Sequence, residues 1–365
     1  RAYSILDLLG RFLEEQYQAN GVSRLSDLHL KVGEPARFRF DNELVAMPEA
    51  APISPKVMEG LLFPLLNEDQ IASLGDSASG DVDAAFEWEE RKTSFRLNVF
   101  RDREGLACAI RVLPREVPTI DKIGFPSDRT WKELVDLRQG LVIVTGITGS
   151  GKSTTVASLL HYINQHRQVR IITLEDPIEY VLDSNTALIS QREVGRHISS
   201  FEQGLRSALR EDPDVIFVGE MRDRETTSLA LTAGETGHLI FSTLHTKDTK
   251  GAITRITDLF PTDRTKELCS QISFSLTYVL GQKLVPRAEG GGRRVAMEVL
   301  KVVPAVANLI RNGNWHQIYS ALETHSKDGM NTLEGHLAEL VKSGEILQDD
   351  AIRSANNESI FTRLG

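Results

Sequence analysis

The chain has 365 residues, 41% hydrophobic and 25% charged, with a formal net charge of −9, the composition of an ordinary soluble globular protein long enough for two domains. The acidic balance argues against nucleic acid as the main partner, although a local basic groove is compatible with it. Two distant cysteines, Cys108 and Cys269, argue against a disulfide framework or thiolate zinc site, and no apolar run approaches the roughly 18–20 residues of a membrane span.

With no secretory signal, the expectation is a cytoplasmic protein. Ile5, Leu8, Leu9 and Phe12 recur at helical spacing within residues 3–18, and Gly21 closes the pattern. Strand-like runs follow at residues 27–32 and 36–40, with Asp41-Asn42 as a hairpin turn before Leu44-Val45. Ser54 reads as the N-cap of a helix over residues 55–66, with Pro55 at its first position. A small polar loop at 77–81 leads to three more strands at 84–88, 93–100 and 106–113. These segments make an α+β module over residues 1–112.

Residues 113–126 contain three prolines and little periodicity, which places the linker there. Over residues 127–365 strands alternate with helices, the texture of an α/β domain with a mainly parallel sheet. Strands are expected at 141–144, 170–174, 215–218 and 239–242, and helices at 152–166, 201–210 and 225–236. The later chain reads as helix-rich over 264–286, 305–313 and 332–343, interrupted by one strand at 294–300.

Residues 146–153 read Gly-Ile-Thr-Gly-Ser-Gly-Lys-Ser, the G-x-x-x-x-G-K-[ST] loop that cradles nucleotide phosphates, here between a strand and a helix as its mechanism requires. Gly146, Ile147, Thr148, Gly149, Ser150 and Gly151 would curl their backbone N–H groups toward phosphate, with Thr154 continuing the cradle. Lys152 would reach the β- and γ-phosphates, and Ser153 would offer its hydroxyl to Mg²⁺. ATP and Mg²⁺ are therefore the expected ligands.

A phosphate loop needs carboxylates to orient metal or water. Glu220 follows the apolar strand at 215–218, and Glu175 ends the strand at 170–174. The carboxyl ends of parallel strands face the ligand crevice, so both acids are directed toward the loop. His238 and His245 bracket another strand at a spacing that matches no metal-ligand pattern, and either a structural role or γ-phosphate sensing fits them. Arg96, Arg101, Arg103 and Arg111 lie in or beside strands of the first module. They form either a solvated sheet face or fingers that reach a neighbour's nucleotide.

In their order along the chain these motifs resemble the secretion ATPases of type IV pili and type II secretion. The resemblance runs from Ser26-Asp27-Leu28-His29-Leu30 through the phosphate loop, residues 173–179, residues 209–223 and residues 236–246. It implies an N-terminal PAS-like domain, a RecA-like ATPase domain and a homo-hexameric ring. By the same resemblance Glu175 is the catalytic acid that polarises water, and Glu220 supports Mg²⁺ and water. His238 and His245 link nucleotide state to subunit contacts, and Arg96 and Arg111 approach a neighbour's γ-phosphate. Where relatives carry a third such arginine before a glycine, this chain has Glu104 before Gly105. Arg101 and Arg103 are the candidate substitutes.

Extension and secretion members carry a four-cysteine zinc loop, and Cys269 alone cannot form one; they also carry a further N-terminal domain with no counterpart in this sequence. Both features favour the retraction branch, as does the run 308–320, although Ala305-Val306-Ala307 departs from that branch's pattern. The expected partners are then identical subunits, an inner-membrane pilus platform protein and a paralogous retraction ATPase, at the cytoplasmic face of the inner membrane. The alternatives are an accessory or assembly-type ATPase of the family, or a nucleic-acid translocase. The latter is disfavoured by the missing basic-aromatic strip.

Overall fold

The computed structural model describes residues 4–14, 18–19, 22–23, 25–40, 43–47, 50–75, 80–91, 93–113, 116–290 and 292–364. The chain divides into two compact units, residues 1–116 and 117–365.

The first unit carries β1 (Gln18–Ala19), β2 (Val22–Ser23), β3 (Leu25–Lys31), β4 (Arg37–Phe40), β5 (Glu43–Ala46), β6 (Val82–Trp88), β7 (Thr93–Asp102) and β8 (Gly105–Leu113). β1 and β2 pair by themselves, and the other six form an antiparallel sheet in the order β5-β4-β3-β8-β7-β6. Alternation sets its two faces. Phe95, Leu97 and Val99 of β7 are fully buried, whereas Arg96 and Asn98 between them are not. Phe12 packs edge-on to Phe38 in that core, with ring centroids 5.6 Å apart. This is the α+β domain expected, PAS-like in class.

Its helices differ from their expected lengths. The first α-helix is Ile5–Gly10, capped by Ser4 and Asp7, and it ends in a 3-10 turn at Arg11–Leu13 rather than reaching residue 18. Gly21 and the Asp41-Asn42 turn lie outside the described residues, as does most of the 77–81 loop. The helix Pro55–Leu62 starts on Ser54 as expected but tightens to 3-10 at Phe63–Leu65. Pro64 has no N–H to continue the α ladder. The helix Glu68–Gly75 was missed. Its signal was the pair Asn67 and Gln70, whose side chains cap each other's backbone N–H at 3.0 and 2.8 Å.

The second unit carries β9 (Gly140–Thr145), β10 (Arg170–Glu175), β11 (Leu188–Glu193), β12 (Val215–Val218), β13 (Leu239–Leu244), β14 (Leu276–Pro286) and β15 (Arg293–Lys301). They form one sheet in the order β11-β10-β12-β13-β9-β14-β15, parallel throughout except for β15. β9 is buried along its whole length. Its Leu141 and Ile143 enter one core and its Val142 and Val144 another, so the sheet is covered on both faces. The helix Lys152–His166 supplies Val156, Leu159, Leu160 and Ile163 to the second core. This is the RecA-like α/β domain. The prolines of 113–126 do not keep that segment apart. Ile120–Ile123 is a short helix whose Ile120 and Ile123 are buried, and the Ser158 hydroxyl donates to the Pro118 carbonyl at 2.7 Å.

A further expectation is overturned. Residues 264–286 are not helical throughout: the helix Thr265–Ser275 gives way at Leu276 to β14, which lies between β9 and β15. Leu276, Val279, Leu280 and Val285 are buried, and a run buried on both sheet faces has no two-residue alternation to betray it.

A candidate nucleotide site at the sheet's carboxyl edge

The loop after β9 opens directly into the helix Lys152–His166. Gly151 stands at the N-cap with φ of 86°, left-handed backbone that side chains disfavour. A Cβ on Gly146 would lie 2.4 Å from the Gln282 carbonyl, so only glycine fits where β14 passes the loop. The loop borders a cleft of about 420 Å³. Thr148, Gly149, Gly151, Lys152, Ser153 and Thr154 line it, whereas Gly146, Ile147 and Ser150 frame the loop outside the lining.

Lys152 is buried, and its Nζ donates to the carbonyls of Gly146 at 2.8 Å and Ile147 at 3.1 Å. Burial holds its pKa below the usual lysine value, against the opposing pull of Glu220 and Glu179. A bound polyphosphate would return that charge to its favoured state.

Glu175, at the end of β10, is buried in the same cleft. The Thr173 hydroxyl donates to its Oε1 at 2.6 Å and Gln191 Nε2 at 3.1 Å. Burial outweighs those hydrogen bonds and pushes the carboxyl up to about 7. Glu220 lies beyond β12, whose end is fastened to β13 by the Ser242 hydroxyl on the Val218 carbonyl at 2.8 Å and the Thr243 hydroxyl on the Gly219 carbonyl at 2.6 Å. Its Oε2 accepts from Arg222 Nε at 2.7 Å and stands 3.4 Å from His245 Nε2. The other ring nitrogen of His245 is 3.5 Å from Lys152 Nζ. Glu220, His245 and Lys152 thus form one chain of contacts across the cleft mouth.

The structure therefore gathers Lys152, Ser153, Glu175, Glu220 and His245 in one place. His238 is not there. It precedes β13, beside Gly140 at the start of β9, and its ring meets the Ala233 carbonyl at 3.3 Å. It occupies the amino edge of a parallel sheet whose carboxyl edge holds the cleft. In the first unit Arg96 and Arg111 are direct cross-strand partners, and Arg111 Nε donates to Asp27 at 2.8 Å. Arg101 is bound to the Leu74 carbonyl at 2.7 Å, and Glu104 accepts from Lys31 and Arg103.

Four further residues shape the site without having been singled out. Thr173 and Glu175 are two apart on one strand and so share a face, a signal that was available. Gln191, Tyr180 and Gln282 carried none, because the fold brings them in from β11, a loop and β14. Gln191 Nε2 also donates to the Tyr180 carbonyl at 2.9 Å, and the Tyr180 hydroxyl meets that of Thr154 at 2.9 Å. Among the described residues no group of three or more His, Cys, Asp or Glu is gathered to hold a metal by itself. Likewise, no helix there is long and apolar enough to cross a membrane.

Residues 8–349 match the model of the family described as type II/IV secretion system protein. The chain is 42% identical over 330 residues to the type IV pilus retraction ATPase PilT of Pseudomonas aeruginosa, covering 90% of this chain and 94% of that protein. It is 45% identical over 277 residues to a twitching motility protein of Neisseria gonorrhoeae, covering 76% and 73% of the two chains. The crystal structure of the pilus retraction motor PilT with bound ADP superposes with a TM-score of 0.89 at 39% identity, over 99% of both chains. With the phosphate loop, the two strand-end acids and both units accounted for, the chain belongs to the type II/IV secretion system protein family.

Proposed function

We propose that this chain is an ATP-hydrolysing motor that powers type IV pilus retraction, the disassembly step behind twitching motility. The observation that carries the reading is the cleft itself. A phosphate loop, a buried lysine and a carboxyl poised near neutrality converge there, in a chain similar over nearly its full length to a pilus retraction motor.

In this reading the loop N–H groups and Lys152 bind the phosphates, and Glu175 accepts a proton from the attacking water. A general base works best with a pKa near the operating pH, which burial of Glu175 provides. Glu220, held by Arg222 and facing His245, orients the site from beyond β12, the strand paired directly to β10. The Ser153 hydroxyl and the Glu220 carboxylate are oxygen donors that both line the cleft, which fits Mg²⁺, a cation usually held by one or two protein groups plus phosphates. When bound, Mg²⁺ neutralises charge on the phosphate oxygens. Arg96 and Arg111 would serve a neighbouring subunit's nucleotide within a homo-hexamer. The ring would dock on a membrane platform protein of the pilus machine at the inner membrane's cytoplasmic face.

Deleting the gene tests the direction of the motor. Loss of retraction leaves cells over-piliated and non-twitching, and a gene encoding Lys152→Ala fails to restore them. Bald cells would overturn retraction while leaving the ATPase reading in place.

A further inference from the structure

Gln282 lies on β14 immediately beyond the last residue of that strand paired to β9, Gly281 opposite Thr145. It is 1% exposed, and both ends of its amide are used on the phosphate loop and its helix. Nε2 donates to the Ser150 carbonyl at 2.7 Å, and Oε1 accepts from the Thr155 hydroxyl at 2.8 Å. The Ser150 hydroxyl is buried without a hydrogen-bond partner. The loop is therefore pinned here by its carbonyl and not by its own side chain. The Gln282 carbonyl is also the atom that excludes any side chain at Gly146. One residue of β14 thus touches the start, the middle and the helical exit of the loop.

We propose that Gln282 is a positioning residue that holds the phosphate loop in its ligand-ready curl, an inference that rests on the nucleotide-site reading above. A cradle made of backbone N–H groups binds only while their directions converge. Fractional loss of that shape weakens apparent affinity by the same fraction. A cradle defect also has a signature: it weakens ligands that carry phosphates and spares those that do not. Because the loop meets ground state and transition state alike, the defect raises KM more than it lowers kcat.

The test compares wild type, Gln282→Met and Gln282→Glu in binding of ATP, ADP and adenosine, and in steady-state hydrolysis. Gln282→Met keeps the volume and removes both hydrogen bonds. Its Kd for ATP and ADP rises about tenfold, its Kd for adenosine is unchanged, and KM rises with kcat held within about twofold. Gln282→Glu supplies a readout that does not depend on the methionine variant folding. Buried carboxyls in this protein, Glu175 and Glu298, are pushed up to about 7, and a protonated glutamate at 282 regains a donor for the Ser150 carbonyl. Its KM relative to wild type therefore falls as pH drops from about 8 to about 6. Unchanged ADP affinity in Gln282→Met, equal weakening of adenosine and ADP, or a Gln282→Glu ratio flat with pH would each overturn the positioning role. Failure of the wild type itself to bind ADP would instead remove the nucleotide-site reading.

Discussion

Arg96 and Arg111 stand directly opposite each other on β7 and β8, and Arg111 is held by Asp27, its partner in turn on β3. Two guanidinium groups at facing positions of an antiparallel pair repel, and Asp27 bonds only one of them through its Oδ1 while its Oδ2 accepts from Ser26. In the proposed function this pair serves a neighbouring subunit's nucleotide. Arginine fingers contribute roughly 10³–10⁵-fold in phosphoryl transfer. Subunits carrying Arg96→Ala with Arg111→Ala are expected to be inactive alone, and so are Lys152→Ala subunits. Mixed rings, verified by native mass spectrometry, should regain part of the activity, because a Lys152→Ala subunit still offers its arginines to the double mutant's intact loop. Mixed rings without any rescue would return the pair to a plain charged sheet face.

Lys152→Ala should abolish Mg²⁺-dependent ATP hydrolysis. Lys152 is the cation whose Nζ sits against the loop carbonyls, and its charge is what polyphosphate needs there. Colorimetric phosphate release on the purified variant decides it, and turnover near wild type refutes the nucleotide site.

The legible part of this fold was the part coded locally. Strand, loop and helix around Lys152 are contiguous, so residues 141–166 could be read directly, and the acids at the ends of β10 and β12 follow from the rule that parallel strands point their carboxyl ends at the ligand. What stayed hidden depends on pairing across long separations. β14 looked like part of a helix-rich stretch because Leu276, Val279 and Leu280 are covered on both sides by elements far away in the chain. With the strand misread, Gln282 could not be placed beside the phosphate loop. The place of His238 was hidden for the opposite reason. It is near His245 in sequence, but a six-residue strand puts them at opposite edges of the sheet.

The two acids should separate by the kind of loss. Glu175→Gln and Glu220→Gln are each expected to keep ATP binding, since the cradle is backbone and lysine, and each to hydrolyse poorly. Loss of a positioned base lowers rates by about 10²–10⁴-fold. Single-turnover hydrolysis beside equilibrium binding distinguishes them. Normal turnover in Glu175→Gln with a defect confined to Glu220→Gln would assign the base elsewhere.

The pH dependence follows from the burial of Glu175. Its carboxyl is raised from an ordinary 4.5 to about 7, with burial the first cause and the hydrogen bonds from Thr173 and Gln191 opposing it. A base must be ionised, so kcat should climb as pH rises toward about 7 and level off above it. Thr173→Val keeps the shape but deletes the 2.6 Å bond that favours the carboxylate. It should therefore move the rising limb to higher pH without lowering the plateau severely. Stability carries the same group with a definite sign. Between about 4.5 and about 7 the folded state binds more protons at Glu175 than the unfolded chain does. The contribution is present at the acid end of that window and is lost as pH rises through it. Denaturant unfolding of wild type minus Glu175→Gln should slope downward across the window, the glutamine being unable to ionise. Glu298, buried and also pushed up to about 7, has the same sign in both proteins and cancels in the difference. A rate profile flat from about pH 5.5 to 8, or a Thr173→Val profile shifted toward acid, would contradict ionisation of Glu175 as the controlling step.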